Sequence, residues 1–242
     1  MRKLLWALLG SIALSTAHAK ELALQPYVAT YAVTYRGLDA GTLRMELRHD
    51  AGSDRYTFET RASPSVLARL VIGRDAIERT TFKATAEGLR PLEWYLEDGK
   101  SGKGGDGHLK FDWAANKVVG EFEGERVELP TQPNLQDRLS SQIAVSAALL
   151  QGHEPASIVM INGDKTREYT YARGASGSME TKIGRLDTVI YESTRPGSNR
   201  VSKVWHAPAL EYLPVRAEQI RKGKVETLMV LVALESQNKV IR

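Results

Sequence analysis

From Tyr27 onward most of the chain is written in period two. Tyr27 to Tyr35 reads Tyr-Val-Ala-Thr-Tyr-Ala-Val-Thr-Tyr, dense in aromatic and β-branched residues. In the next segment, Thr42 to Leu47, Leu43, Met45 and Leu47 alternate with Arg44, Glu46 and Arg48. Successive strand side chains point to opposite faces, so this pattern packs one face and wets the other. Gly37 and Gly41 bracket the turn between the two segments, which predicts a hairpin. Asp50-Ala51-Gly52-Ser53 supplies the next turn, before Arg55 to Arg61. Further short strands are predicted over 77–86, 91–97, 107–112 and 117–122. After residue 156 the pattern resumes over 157–162 and 166–173 around the turn pair Gly163-Asp164, then over 179–184, 186–193, 200–207, 214–221 and 225–235.

Two stretches break the alternation. Pro64 to Ile72 carries apolar residues at 66, 67, 70 and 71, a spacing that fits a short amphipathic helix or a covering loop. Leu135 to Leu150 is the principal helix candidate: Leu139, Ile143, Ala147 and Leu150 fall on one side, Gly152 ends the run, and Asn134 or Asp137 caps its start. Ala144 to Leu150 is small and apolar on several faces, which suits a helix pressed into the concave side of a curved sheet. The plan is β meander, helix, β meander. The fold class expected is mainly β: a strongly curved antiparallel sheet or open β barrel with one principal helix packed against it. No linker rich in glycine or proline divides it, so residues 20–242 are expected to form a single domain.

The first residues follow a different rule. Arg2 and Lys3, an apolar run from Leu4 to Leu14, and Ala17-His18-Ala19 before Lys20 read as a secretory signal with a small-residue cleavage site. The run is too short for the roughly 20 residues of a membrane-spanning helix. Cleavage of residues 1–19 would leave 20–242 as a soluble periplasmic chain with no transmembrane segment. The formal charge of +4 falls to +2 once Arg2 and Lys3 leave, since residues 1–19 contain no acid. So small a charge argues against nucleic acid as a partner. With no cysteine in the chain, disulfides, thiol nucleophiles and thiolate metal sites are excluded.

Several segments together resemble a family of bacterial exported proteins known only as a domain of unknown function. They are Tyr31-x-Val33-x-Tyr35-x-Gly37, the Ala40-Gly41 turn, Asp137-x-Leu139-Ser140, Gly184-x-Leu186-x-Thr188-Val189-x-Tyr191-Glu192, and Trp205-x-Ala207-x-x-Leu210-Glu211-x-Leu213-Pro214-Val215-Arg216. The likeness spans about residues 27 to 234. It carries no reaction and therefore no catalytic residue. At the level of fold alone, the expected curved sheet is similar to periplasmic lipoprotein carriers, whose open barrels shelter acyl chains.

Candidate chemistry is sparse. His49, His108, His153 and His206 lack the helical spacing of a zinc motif, so no metal ligand set is assigned. Asp137 and Ser140 invite a proton-transfer reading, but capping explains them with no histidine beside them. Gly99-Lys100-Ser101-Gly102-Lys103-Gly104-Gly105 lacks the Walker order and reads as a hairpin loop. Arg185, Arg195, Arg200, Lys203, Arg216, Arg221, Lys222 and Lys224 make the later sheet basic. If they share one face they would orient an acidic membrane or polymer, although interleaved acids favour a solvated sheet face. Tyr31, Tyr35, Trp94, Trp113 and Trp205 are the candidate ligand-binding residues, set against ordinary core packing. No catalytic residue and no cofactor is assigned. The expected function is noncatalytic binding or cell-envelope maintenance in the periplasm, with an envelope lipid or envelope protein as partner. The alternatives are a structural interaction module of the envelope and a hydrolytic enzyme whose site the sequence does not reveal.

Overall fold

The computed structural model describes residues 22–72, 74–100, 105–236 and 239–241. The signal segment 1–19 and residues 101–104 of the glycine loop lie outside the described residues. The sheet spreads in both directions from its first strand, β1 (Tyr27–Tyr35). On one side run β2 (Leu38–His49), β3 (Arg55–Pro64), β4 (Ala76–Thr85), β5 (Gly88–Glu97), β6 (Gly107–Asp112), β7 (Lys117–Phe122) and β8 (Glu125–Pro130), each antiparallel to the last. The short helix α1 (Val66–Ile72) lies between β3 and β4, so this apolar stretch forms a helix and not a covering loop.

The second half returns to the other side of β1. After β9 (Leu135–Gln136) and the principal helix α2 (Ser140–Leu150), the chain forms β10 (Ser157–Asn162), β11 (Lys165–Arg173), β12 (Gly177–Thr181), β13 (Gly184–Thr194), β14 (Arg200–Ala207), β15 (Leu213–Arg221), β16 (Lys224–Ser236) and β17 (Lys239–Ile241). β16 pairs with β1, and from it the order runs outward through β15, β14, β13, β11 and β10 to β9. β8 and β9 are thus the two ends of one sheet, and among the described residues no ladder joins them. Side chains do that instead: Val159 and Ile161 of β10 and Leu135 of β9 pack with Trp94, Leu109, Val118 and Val127 from the first half. The result is a strongly curved, mainly antiparallel sheet, barrel-like but not closed.

Local sequence explains the turns. Arg36 and Gly37 have φ of 50° and 81°, and Lys222 and Gly223 have φ of 50° and 73°. Two successive positive φ values make the type I′ turn whose twist matches a two-residue hairpin. Gly41 lies inside β2 rather than at the turn. A Cβ there would stand 2.2 Å from the Ser63 carbonyl oxygen, so only glycine lets β2 and β3 approach at this point.

The main core gathers inward residues of both halves, among them Tyr31, Phe58, Phe82, Leu231 and Val215, around Leu139 just before α2 and Ile143 and Ala147 within it. Burying a phenylalanine such as Phe58 is worth roughly 1.5–3 kcal/mol. The other side of α2, through Val145 and Leu149, packs on Ile158 and Tyr191. A helix held between two walls needs small side chains all round, which is why Ser140, Ser141, Ser146 and Ala147 are all buried. The helix is shorter than its apolar pattern predicts. Leu135 and Gln136 instead bridge to β10 in parallel, and the Gln136 amide donates to the Leu89 carbonyl at 2.9 Å.

Candidate functional site

The sheet leaves space where α2 does not fill it. A cavity of about 310 Å³ lies at the amino end of α2, walled by Leu43, Met45, Ala62, Ile77, Leu96 and Met229 and floored by Leu139 and Gln142. Its lining runs out to Ala76 and Asp98, at the ends of β4 and β5, so it opens at the end of the barrel that carries α1. A second cavity of about 230 Å³ lies at the other end, between Leu24, Tyr27 and Leu47 on one side and Ile143, Leu150 and Leu213 on the other.

One side of the first cavity is polar and tightly bonded. Arg138 donates from Nε to Glu78 Oε1 at 2.9 Å and from Nη2 to Oε2 at 2.8 Å, a bidentate pair across 60 residues of sequence. The Trp94 ring N–H donates to the same Glu78 Oε1 at 2.8 Å. Strand β4 supplies Glu78 and Thr80 on one inward face, and the register sets Thr80 opposite Trp94. Thr80 donates its hydroxyl to Asp137 Oδ2 at 2.6 Å, while Asp137 Oδ1 accepts the backbone N–H groups of Leu139 and Ser140 at 2.8 and 2.9 Å. Asp137 therefore closes the turn before α2, as its capping role predicts, and Asn134 does not share it.

Asp137 and Ser140 are 2% and 0% exposed, and the Ser140 hydroxyl oxygen accepts the Asp137 N–H at 3.0 Å. Their polar atoms are used in starting the helix. Burial pushes the Asp137 carboxyl up to about 6, against the hydrogen bonds from Thr80 and Ser140 that favour its charge. Burial also pushes the His206 imidazole down to about 4. Its Nδ1–H donates to the Tyr212 carbonyl at 2.9 Å, which fixes a neutral tautomer.

The five aromatic candidates do not converge. Tyr31 is wholly buried and donates its hydroxyl to the Pro214 carbonyl at 2.8 Å. Trp94 is buried and touches the cavity's chemistry only through Glu78. Trp113 lies at the opposite end, donating to the Pro91 carbonyl at 2.6 Å. Trp205 sits between the Lys203 ammonium and the Arg216 guanidinium at 5.4 and 5.3 Å. Tyr35 stands exposed at the first hairpin turn with the Arg36 guanidinium 5.1 Å from its ring. None of the five lines either cavity. The polar set Glu78, Arg138 and Thr80 was not singled out as a unit from sequence, because strand and helix meet there only through the fold. The histidines are scattered: His49 stacks on Tyr56, His108 pairs with Glu93 at 2.6 Å, and His206 is buried near Tyr191. The glycine loop is closed at its base by the Asp98 N–H donating to Asp106 Oδ1 at 2.9 Å. No helix among the described residues is long and apolar enough to cross a membrane.

The sequence model of a family described as a protein of unknown function, DUF3108, matches residues 30–230. No curated protein matches the chain. Among solved structures, the chain is similar to a beta-barrel-like protein of the domain of unknown function DUF1849 from Brucella abortus, with a TM-score of 0.53 and 13% identity over 89% of this chain and 99% of that one. That likeness is one of fold. A candidate lipoprotein from Parabacteroides distasonis aligns with a TM-score of 0.40 and 11% identity over 88% of this chain and 96% of that one. A candidate exported protein with a YmcC-like fold from Bacteroides fragilis gives 0.33 and 13% over 88% and 96%.

Proposed function

The chain belongs to the DUF3108 family of proteins of unknown function, and with no reaction to inherit from it we propose a noncatalytic binding protein of the cell envelope. Residues 1–19 are a cleaved secretory signal, and residues 20–242 form a single periplasmic domain that holds an apolar envelope molecule, a lipid or its acyl chain. The observation that carries this reading is the cavity at the amino end of α2. Its walls are Leu, Met, Ile and Ala side chains, and its volume of about 310 Å³ falls at the lower end of the range for small-molecule sites. The Glu78–Arg138 pair gives the apolar space one charged side, the arrangement that fixes the orientation of a ligand with a polar head. Trp94 acts by holding Glu78, and Tyr35 acts at the open end rather than inside.

Native mass spectrometry of residues 20–242, purified gently from an envelope fraction and followed by lipid extraction of the same sample, tests the proposal. A reproducible one-to-one apolar adduct that is lost when Ala62→Phe fills the cavity supports it. A protein that stays empty when offered envelope phospholipids, or an adduct that Ala62→Phe leaves in place, refutes it.

A further inference from the structure

Exposed apolar side chains on a monomer are ordinarily scattered. Here they are gathered. Six large hydrophobic side chains are exposed among the described residues, and five of them, Tyr35, Leu38, Val66, Leu67 and Val225, stand at one end of the barrel. Pairing fixes their neighbourhood. Tyr35 is opposite Leu38 in β2 and Thr227 in β16, and the Arg36 N–H donates to the Glu226 carbonyl at 2.7 Å. The segment entering α1 is held beside β2 by the Ser65 N–H donating to the Ala40 carbonyl at 3.2 Å. This is the end at which the first cavity opens.

One arc of the same rim, over β14 to β16, is basic. Arg200, Arg221 and Lys224 lie side by side in register on β14, β15 and β16, and Lys222 occupies the turn between the last two, its N–H donating to the Asn199 carbonyl at 3.3 Å. Glu226 is the acid among them and is hydrogen-bonded to Arg36 at 2.9 Å. Lys203 and Arg216, basic residues further along these strands, are paired instead with Glu192 and Glu218 at 3.0 and 2.9 Å. Two more acids stand exposed on this rim, Asp75, which is paired with Arg69 at 3.1 Å, and Asp39, whose Oδ1 accepts the Gly41 N–H at 3.1 Å. The Arg200–Arg221–Lys224 arc therefore supplies the cationic side of a rim whose apolar side chains protrude. That is the composition of a surface that settles at a membrane interface.

We propose that this rim docks on the surface of an anionic phospholipid bilayer. Leu38, Val66 and Leu67 enter the boundary between headgroups and acyl chains, and the Arg200–Arg221–Lys224 row lies on the anionic headgroups. Docking in this way sets the mouth of the cavity against the lipid. It does not require the cavity to be filled, so it stands apart from the ligand proposed above.

Flotation of residues 20–242 with vesicles of phosphatidylethanolamine and phosphatidylglycerol, and with vesicles of phosphatidylcholine alone, is the test. The wild type should float with the anionic vesicles and release as salt is raised past about 0.15 M. Arg221→Glu with Lys224→Glu should weaken binding roughly tenfold or more and remove its salt dependence. The triple substitution Leu38→Ser, Val66→Ser, Leu67→Ser should weaken it comparably while keeping the salt dependence. All these positions are exposed, so circular dichroism should be unchanged, and adduct mass spectra report the cavity separately. Docking without an adduct keeps this proposal and removes the ligand. Three results overturn it: a wild type that stays with the supernatant, variants that float like wild type, or a concentration-dependent dimer that the apolar substitutions abolish.

Discussion

Replacing Asp137 by Asn tests whether the buried carboxyl at the helix start costs stability at neutral pH. Burial pushes the carboxyl up from 3.8 to about 6. Its raised pKa means that stability from this group is fully present below 3.8 and is lost as pH rises through 6. A shift of about two units corresponds to about 3 kcal/mol. His206 works in the opposite sense. Depressed from 6.5 to about 4, it contributes stability that is present above 6.5 and lost as pH falls toward 4, again about 3 kcal/mol. Between pH 4 and 6 the two contributions oppose each other. In Asp137→Asn the amide oxygen can still accept the Leu139 and Ser140 N–H groups and the amide can donate to Thr80, but the ionised form is gone. One amide proton lacks a named acceptor, at a cost of about 1 kcal/mol. The variant should therefore be about 1–2 kcal/mol more stable than wild type at pH 7.5, and that advantage should shrink by about 3 kcal/mol on going to pH 4. Urea unfolding followed by tryptophan fluorescence at pH 7.5, 6, 5 and 4 measures both. A difference between variant and wild type that stays constant within about 1 kcal/mol across that range refutes the reasoning.

Other substitutions probe separate parts of the argument. His206→Asn should lower stability by about 1–2 kcal/mol at pH 7.5 and flatten the loss between pH 6.5 and 4, read in the same urea series. Gly41→Ala places a Cβ 2.2 Å from the Ser63 carbonyl oxygen and should cost about 3 kcal/mol. Gly37→Ala meets nothing within 4 Å and should cost only about 1 kcal/mol, the difference appearing as separated melting temperatures. Trp94→Phe removes the ring N–H from Glu78 while keeping most of the packing, and should cost about 1–2 kcal/mol by urea unfolding.

Strand positions were legible because most strands alternate. β6, β7, β10 and β14 carry the bounds that the pattern predicts, and β2, β3 and β13 only extend past it. β8 escaped because Val127 and Leu129 are set among Glu125, Arg126 and Glu128, a composition that also reads as loop. Such a short, charged strand ending in Pro130 suits an exposed edge. β9 escaped for a different reason. Leu135 and Gln136 continue the apolar run of α2, and only the distant partners Val159 and Met160 turn them into a bridge. The small residues of α2 announced a helix pressed into a concave sheet, which is where it lies. The cavity was not legible, because Glu78 and Arg138 are 60 residues apart and nothing local says that they meet. Aromatic residues on strands fit a pocket lining or a core equally well by sequence, and Tyr31 and Trp94 are occupied in the core through the hydrogen bonds that their burial requires.

The two ends of the barrel differ in a way that bears on orientation. Leu22 and Leu24, the first described residues of the chain, are buried in the main core, and the Leu24 N–H donates to the Tyr56 hydroxyl at 3.3 Å. They enter beside the second cavity, whereas the apolar and basic rim stands at the mouth of the first. A barrel docked by its rim therefore points the start of the domain away from the bilayer. The helix between the two cavities is also asymmetric. Its amino end is fixed by Asp137 to Thr80 and by Arg138 to Glu78, both long-range polar bonds to β4, while Ser146 to the Tyr212 carbonyl at 3.0 Å holds its second half. The end tied to β4 by long-range polar bonds is thus the one that faces the rim, so the ligand proposed above would meet a preformed wall and would pay little to order it.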